Sequence, residues 1–340
     1  MYDVMPFSAA RDGRPVEAVT IRNRNGMRAR LMTLGATVLS VVVPTKNGEL
    51  DVALGYDTPA EYETTRPYFG AICGRYANRI ALGKFRLGSK TYSLLTNDGP
   101  NHLHGGKDGL SFRLWNIAAA DESSVTFTYD SPDGEEGYPG NLHVAVTYAL
   151  SDDNVLSIRY EAVSDADTVL NLTNHTYWNL NGHDSGSALG HTLELPCSYF
   201  CPCDENALVS GEIRPVGGTV FDFTEPHTIG ERIEADDEQL RFGWGYDHCF
   251  LLDGDKPIVL RGDKSGVAME ITTDLPAVQL YTANHVVPQQ GKGGAAYAPR
   301  CAVCLETQQV PDAPNKPQFP SALLKANEPF VSVTSHRFVF

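Results

Sequence analysis

Apolar and polar residues alternate with period two along much of the chain, and the runs are separated by clusters of Gly, Asn, Asp and Pro. That is the pattern of strands packed on one side and joined by turns. In residues 155–163 it places Leu156, Ile158, Tyr160 and Ala162 on one face and Ser157, Arg159 and Glu161 on the other. Residues 142–150 read as a neighbouring strand, joined through Ser151-Asp152-Asp153-Asn154, whose short polar side chains suit a tight hairpin. Further strands are predicted over 84–95, 124–129, 267–272 and 330–339, and an early apolar run covers 30–44. Helical periodicity is confined to 58–64 and 229–240. No break in composition or internal repeat divides the 340 residues. The pattern therefore predicts one domain over 1–340, all-β, a large antiparallel β-sandwich with few short helices and long decorated loops. A propeller would need a repeat.

One segment departs from this pattern. If residues 171–180 are extended, Asn171, Thr173, His175, Tyr177 and Asn179 point one way and Leu172, Asn174, Thr176, Trp178 and Leu180 the other. A solvated sheet face would carry Lys, Glu and Arg, whereas uncharged hydrogen-bonding groups around one imidazole suit the wall of a pocket for a neutral polar ligand. A partly buried strand whose histidine is merely hydrogen-bonded fits the same residues.

Composition narrows the partners. With 27 basic and 42 acidic side chains the formal net charge is −15, which repels a phosphate backbone and an anionic membrane alike. Nucleic acid and membrane are therefore not expected as partners. The first residues carry no basic stretch followed by an apolar core, and no apolar run is long enough to cross a bilayer, so a soluble, cytoplasmic protein is expected. The seven cysteines are an odd number scattered along the chain, and reduced thiols are the expectation. Cys201-Pro202-Cys203 and Cys301-Ala302-Val303-Cys304 suggest a zinc site in spacing, but no second regular pair completes a tetrahedral set.

Four further segments concentrate polar groups. In 74–80, Arg75 and Arg79 fit surface charge, while Asn78 beside Arg79 could bind a ligand. In 101–106, His102 and His104 share a face if extended, a spacing used by metals with His248 or an acid as third ligand, and the following glycines allow a sharp turn and close ligand approach. Histidines held in a turn fit equally well. In 245–248, Asp247 lies between aromatic neighbours, where it binds a hydroxyl pair or caps a loop. Glu306 is a lone acid in an apolar strand, with Ala302 and Cys304 on its face. A carboxyl so placed has its pKa raised toward the range of a useful base.

At these residues the chain resembles the aldose 1-epimerases, also called galactose mutarotases. Residues 74–80, 101–106, 171–180, 246–248, 278–284 and 305–315 match that family's landmarks in order, from about residue 36 onward. The resemblance implies a β-sandwich with one open sugar-binding cleft, no cofactor and no metal, acting on a free aldohexose as a monomer or homodimer. It implies Glu306 as general base, His175 as general acid and His104 as a second histidine near the ring oxygen, with Asn78, Arg79, Asp247 and Gln279 holding sugar hydroxyls. Tyr177 and Asn284 fall in the motifs without a definite role. Opening a cyclic hemiacetal requires the C1 hydroxyl to lose a proton and the ring oxygen to gain one. His175 is then expected to be protonated near neutral pH, its pKa raised by Glu306, Asp247 and the acidic background, with Trp178 or Tyr246 against the apolar face of the sugar. A hexose 6-phosphate epimerase and a sugar-binding protein without turnover are the alternatives.

Overall fold

The computed structural model describes residues 3–340. Where alternation is regular, strands form as the pattern predicts. Leu142–Leu150 and Val155–Ser164 pair antiparallel along their length, burying Val144, Val146 and Tyr148 on one face with Leu156, Ile158 and Tyr160. They belong to a nine-stranded sheet ordered Asn116–Ala120, Ser124–Ser131, Leu142–Leu150, Val155–Ser164, Phe330–Val339, Ala268–Thr273, Ile258–Arg261, Thr192–Glu194 and His227–Thr228. The strand Phe330–Val339 sits at its centre, although it follows all the others in the chain.

Two five-stranded sheets accompany it. The first is a meander of Asp3–Ala9, Pro15–Arg22, Arg28–Met32, Thr37–Thr45 and Gly48–Asp51. The second runs Arg214–Pro215, Tyr199–Cys201, Asp247–Leu251, Ala277–Tyr281 and Cys304–Gln308. All three feed one apolar core, which joins Val19 and Ile21, Phe127 and Val146, and Phe250, Val278 and Leu305. The fold is a large antiparallel β-sandwich, and no helix among the described residues is long and apolar enough to cross a membrane.

Some predicted boundaries change. The run 30–44 is two strands, because the chain reverses between Met32 and Thr37 through Gly35 and Ala36, both in the left-handed region. The run 84–95 is a hairpin of Lys84–Leu87 and Lys90–Ser93. The helix predicted over 58–64 is Pro59–Thr65, started by a capping box in which the Glu61 carboxylate accepts from the Thr58 backbone N–H at 2.9 Å. The one predicted over 229–240 is a 3₁₀ turn, Ile229–Glu231, and a separate helix, Glu238–Gly243. Asp237 starts that helix afresh by accepting from the N–H groups of Gln239 and Leu240.

Arg75 is the largest correction in this region. It is 2% exposed rather than a surface charge. Its guanidinium donates to the carbonyls of Ser131, Pro132, Pro139 and Gly140 and to the Ser131 hydroxyl, at 2.7 to 3.0 Å. The loop 131–140 thus folds around one planar fork of donors. Arg75→Met keeps the aliphatic volume and strands those acceptors, so it should cost about 3–5 kcal/mol and lower Tm by roughly 4–7 °C. Scanning calorimetry tests this, and an unchanged Tm would rule out the structural role.

Candidate active site

The floor of the site is the second five-stranded sheet. Gln279 lies opposite Glu306 and Asp247 opposite Tyr281 on adjacent strands. Alternation sends Val278, Leu280 and Leu305 into the core and leaves Gln279 and Glu306 on the other face. Loops close over that face to leave a cleft of about 510 Å³ lined by Asn78, Arg79, His104, His175, Asp247 and Glu306, among others.

Glu306 is 2% exposed. Burial, with the charge of Asp247 nearby, holds its carboxyl protonated well above the usual carboxylate range, and Arg79 only partly offsets this. His175 Nε2 stands 3.6 Å from Glu306 Oε1. Burial pushes the His175 imidazole down to about 4, the reverse of the expected rise. The acidic background is of little use to it, because the carboxyl it faces is itself held neutral. Burial thus disfavours the charged form of both partners. Neither Glu306 Oε2 nor His175 Nδ1 has a hydrogen-bond partner among the described residues.

His104 and Asn78 are clasped together. The His104 N–H donates to the Asn78 carbonyl at 3.1 Å, and the Asn78 N–H donates to His104 Nδ1 at 3.2 Å. Both residues are left-handed, with φ +49° and +62°. With Nδ1 accepting, the neutral imidazole carries its proton on Nε2 and serves as a donor. Burial keeps it neutral. Gly105 follows because a Cβ there would lie 1.7 Å from the Gly74 carbonyl oxygen. The glycine admits protein backbone, not a ligand.

The remaining polar groups are held in pairs. Gln279 Nε2 donates to Asp247 Oδ1 at 2.7 Å, and Arg79 Nε to Asp98 Oδ2 at 2.7 Å. Every residue that the resemblance singled out, Glu306, His175, His104, Asn78, Arg79, Asp247 and Gln279, borders this cleft.

Other expectations fail for identifiable reasons. Residues 171–180 do not form one polar-faced strand. Only Thr173–Asn174 pairs regularly, His175 and Tyr177 line the cleft, and the amides of Asn171 and Asn179 donate to buried carbonyls. His102 does not share a face with His104, since the left-handed turn at His104 separates them. Its Nδ1 bonds the Leu95 carbonyl and its Nε2 the Tyr138 hydroxyl. Trp178 packs on His336 and Phe338, and Tyr246 on Phe221 and Phe223, so neither reaches a sugar in the cleft. All seven cysteines are free and buried. Among the described residues, the one grouping able to share an ion is His104, His175 and Glu306, with ligand atoms within 4.8 Å, and it contains no cysteine. The proton on His104 Nε2 blocks the lone pair that a metal would need there.

Sequence reasoning missed the strap over the cleft, residues 66–70. It has φ of +51°, +62° and +67° at Arg66, Tyr68 and Gly70, so no periodicity marks it, and a Cβ at Gly70 would lie 2.1 Å from the Val38 carbonyl oxygen. Tyr281, His285 and Gln289 also line the cleft and fell outside the predicted site.

Fold and cleft together define a β-sandwich protein whose main cleft gathers a buried carboxyl, two imidazoles and several paired polar side chains. Comparison with known proteins gives the family. Residues 17–337 match the profile of the aldose 1-epimerases. The chain is 38% identical to an aldose 1-epimerase of Haemophilus influenzae, over 99% of this chain and 100% of that one. It is 40% identical to the galactose mutarotase of Bos taurus, over 92% and 91%. Among solved structures it superposes on a GalM/aldose epimerase homologue from C. elegans with a TM-score of 0.89, at 31% identity over 95% of this chain and 99% of that one. A galactose 1-epimerase from Lactobacillus acidophilus gives 0.88 at 30% identity, over 100% and 98%. The chain belongs to the aldose 1-epimerase family.

Proposed function

We propose that this protein interconverts the α and β anomers of free hexoses, with Glu306 and His175 as the acid–base pair. The observation that carries the reading is the 3.6 Å contact between His175 Nε2 and Glu306 Oε1 at the buried end of the cleft. For ring opening, a Glu306 carboxylate takes the proton of the C1 hydroxyl while a His175 imidazolium gives one to the ring oxygen. Opening leaves Glu306 protonated and His175 neutral. After rotation about C1–C2, the same groups return the protons and close the ring from the other face. Both states of the pair hold one proton, so the cleft exchanges none with solvent during turnover. The resting distribution, with the proton on Glu306, is the one that matches the open-chain aldehyde. His104 Nε2–H donates to the oxygen that develops charge, and Asn78, Arg79, Gln279 and Asp247 hold the remote hydroxyls. We place the reaction in the cytoplasm, where seven free thiols persist, and treat the chain as one domain on the strength of its shared core.

The single-proton pair has a consequence for pH. A second proton adds only below about 4, where burial has moved His175. The sign is therefore that kcat/KM shows no acid limb at the ordinary histidine value of about 6.5. Any loss on the alkaline side is departure of the pair's one proton. A kcat/KM profile over pH 5.5 to 8 with a midpoint near 6.5 that vanishes in a His175 variant would refute the shared-proton reading. Asp247→Ala should raise KM on the order of ten- to hundredfold, with a smaller fall in kcat, because it removes a charged hydroxyl partner. A KM equal to the parent's would remove Asp247 from the binding set.

The deciding experiment is polarimetry of freshly dissolved α-D-galactose and α-D-glucose. Rapid approach to the equilibrium rotation is expected, and the faster sugar is the preferred one. No acceleration of either by folded protein would overturn the proposal.

A further inference from the structure

We infer that Tyr68 and Tyr177 form an aromatic cradle whose ring faces stabilise the imidazolium of His175 during ring opening. The inference rests on the acid role proposed for His175. A fully buried imidazole has little to hold a positive charge. Glu306 faces it but is kept protonated by burial, and His104 meets it edge to face at 5.2 Å as a neutral ring. The thiols of Cys73 and Cys304 are also kept protonated by burial. Arg79, which borders the same cleft, is paired with Asp98, and Asp247 is hydrogen-bonded by Gln279.

Two tyrosine rings remain. Tyr177 lies near-parallel to His175 at 5.0 Å and 12°, and Tyr68 at 5.9 Å and 15°. Both distances fall within the ~6 Å over which an aromatic face attracts a cation. Tyr281 meets the ring edge-on at 6.3 Å and 86°. The attraction acts on the imidazolium and hardly on the neutral ring, so it lowers the barrier without tightening ground-state binding.

The surrounding structure holds these rings at some cost. Tyr68 is left-handed at φ +62°, within a strap anchored by Gly70. Its ring rests on Phe112 at 5.4 Å, and Phe112 is in turn covered by the Arg66 guanidinium at 3.6 Å. Tyr177 is backed edge to face by Phe69 at 4.6 Å. Tyr68 and Tyr177 are positioning residues, acting through His175.

The test replaces each tyrosine singly by phenylalanine and then by mono-, di- and trifluorophenylalanine, which nearly keep shape while draining the ring face of electron density. Relative to the phenylalanine variant, kcat should fall stepwise, to a total on the order of ten- to thirtyfold, with KM unmoved. A kcat flat across both series in an active parent would overturn the cradle. A folded parent with no mutarotase activity would overturn the proposed function and the cradle with it.

Discussion

Replacing Glu306 by glutamine will lower kcat by on the order of a thousandfold or more and leave KM within a few-fold of the parent's. The two side chains have nearly the same shape, so the cleft keeps its form and its hydroxyl partners. What is lost is the ability to take a proton, and with it the proton that the pair shares. His175→Asn should cost a similar factor, and the double variant little more than either single one, because two groups that trade one proton act as a unit. Polarimetric kcat on the better sugar, with folding checked by circular dichroism, measures all three. Losses that multiply in the double variant would mean that the residues act independently, and a retained kcat in Glu306→Gln would remove it from the chemistry.

Acidification should unfold the protein well above the carboxylate range. His102, His175, His191 and His336 are each pushed down to about 4 by burial, His248 to about 3, and His104 is lowered too. For a group lowered on folding, the unfolded chain binds a proton below about 6.5 that the folded chain refuses, so stability falls as pH drops toward the folded value. Each costs up to ~1.4 kcal/mol per pH unit, so the five held near 3 to 4 together cost on the order of 10 kcal/mol by pH 5, and His104 adds in the same direction. Glu306, raised on folding, works in the opposite sense above the ordinary carboxylate value, but it is one group against six. Since domains carry only about 5–15 kcal/mol, cooperative unfolding is expected near pH 5. Urea midpoints at pH 8, 7, 6 and 5.5 should decline steeply below 6.5, and a constant midpoint would show that the histidines take up protons without unfolding.

Regular strands were legible because side-chain alternation and burial agree there. The span 142–163 reads correctly from its apolar positions alone. The acid at Glu306 was legible for a related reason: a charge on an apolar strand face is costly unless something uses it. His104, Asn78 and Tyr68 were not legible as geometry. Each sits in the left-handed region, where the two-residue period that sequence reasoning follows no longer holds. The family resemblance named His104 and Asn78, but only the fold shows how they hold one another. The protonation of His175 was misjudged because composition reports net charge, whereas a buried ring responds to the few groups it touches. Arg75 looked like surface charge because nothing in residues 74–80 announces the carbonyls of residues 131–140.

The position of the strand Phe330–Val339 also governs how the protein can be made. On the ribosome, every other strand of the nine-stranded sheet emerges before it, yet Val155–Ser164 and Ala268–Thr273 meet only through it. Until residues 330–339 have been synthesised and released, the growing chain carries two half-sheets with facing open edges. Such a nascent chain depends on chaperones or on speed to avoid pairing with its neighbours. A message truncated before codon 330 would yield an aggregating product, not a weakly active one.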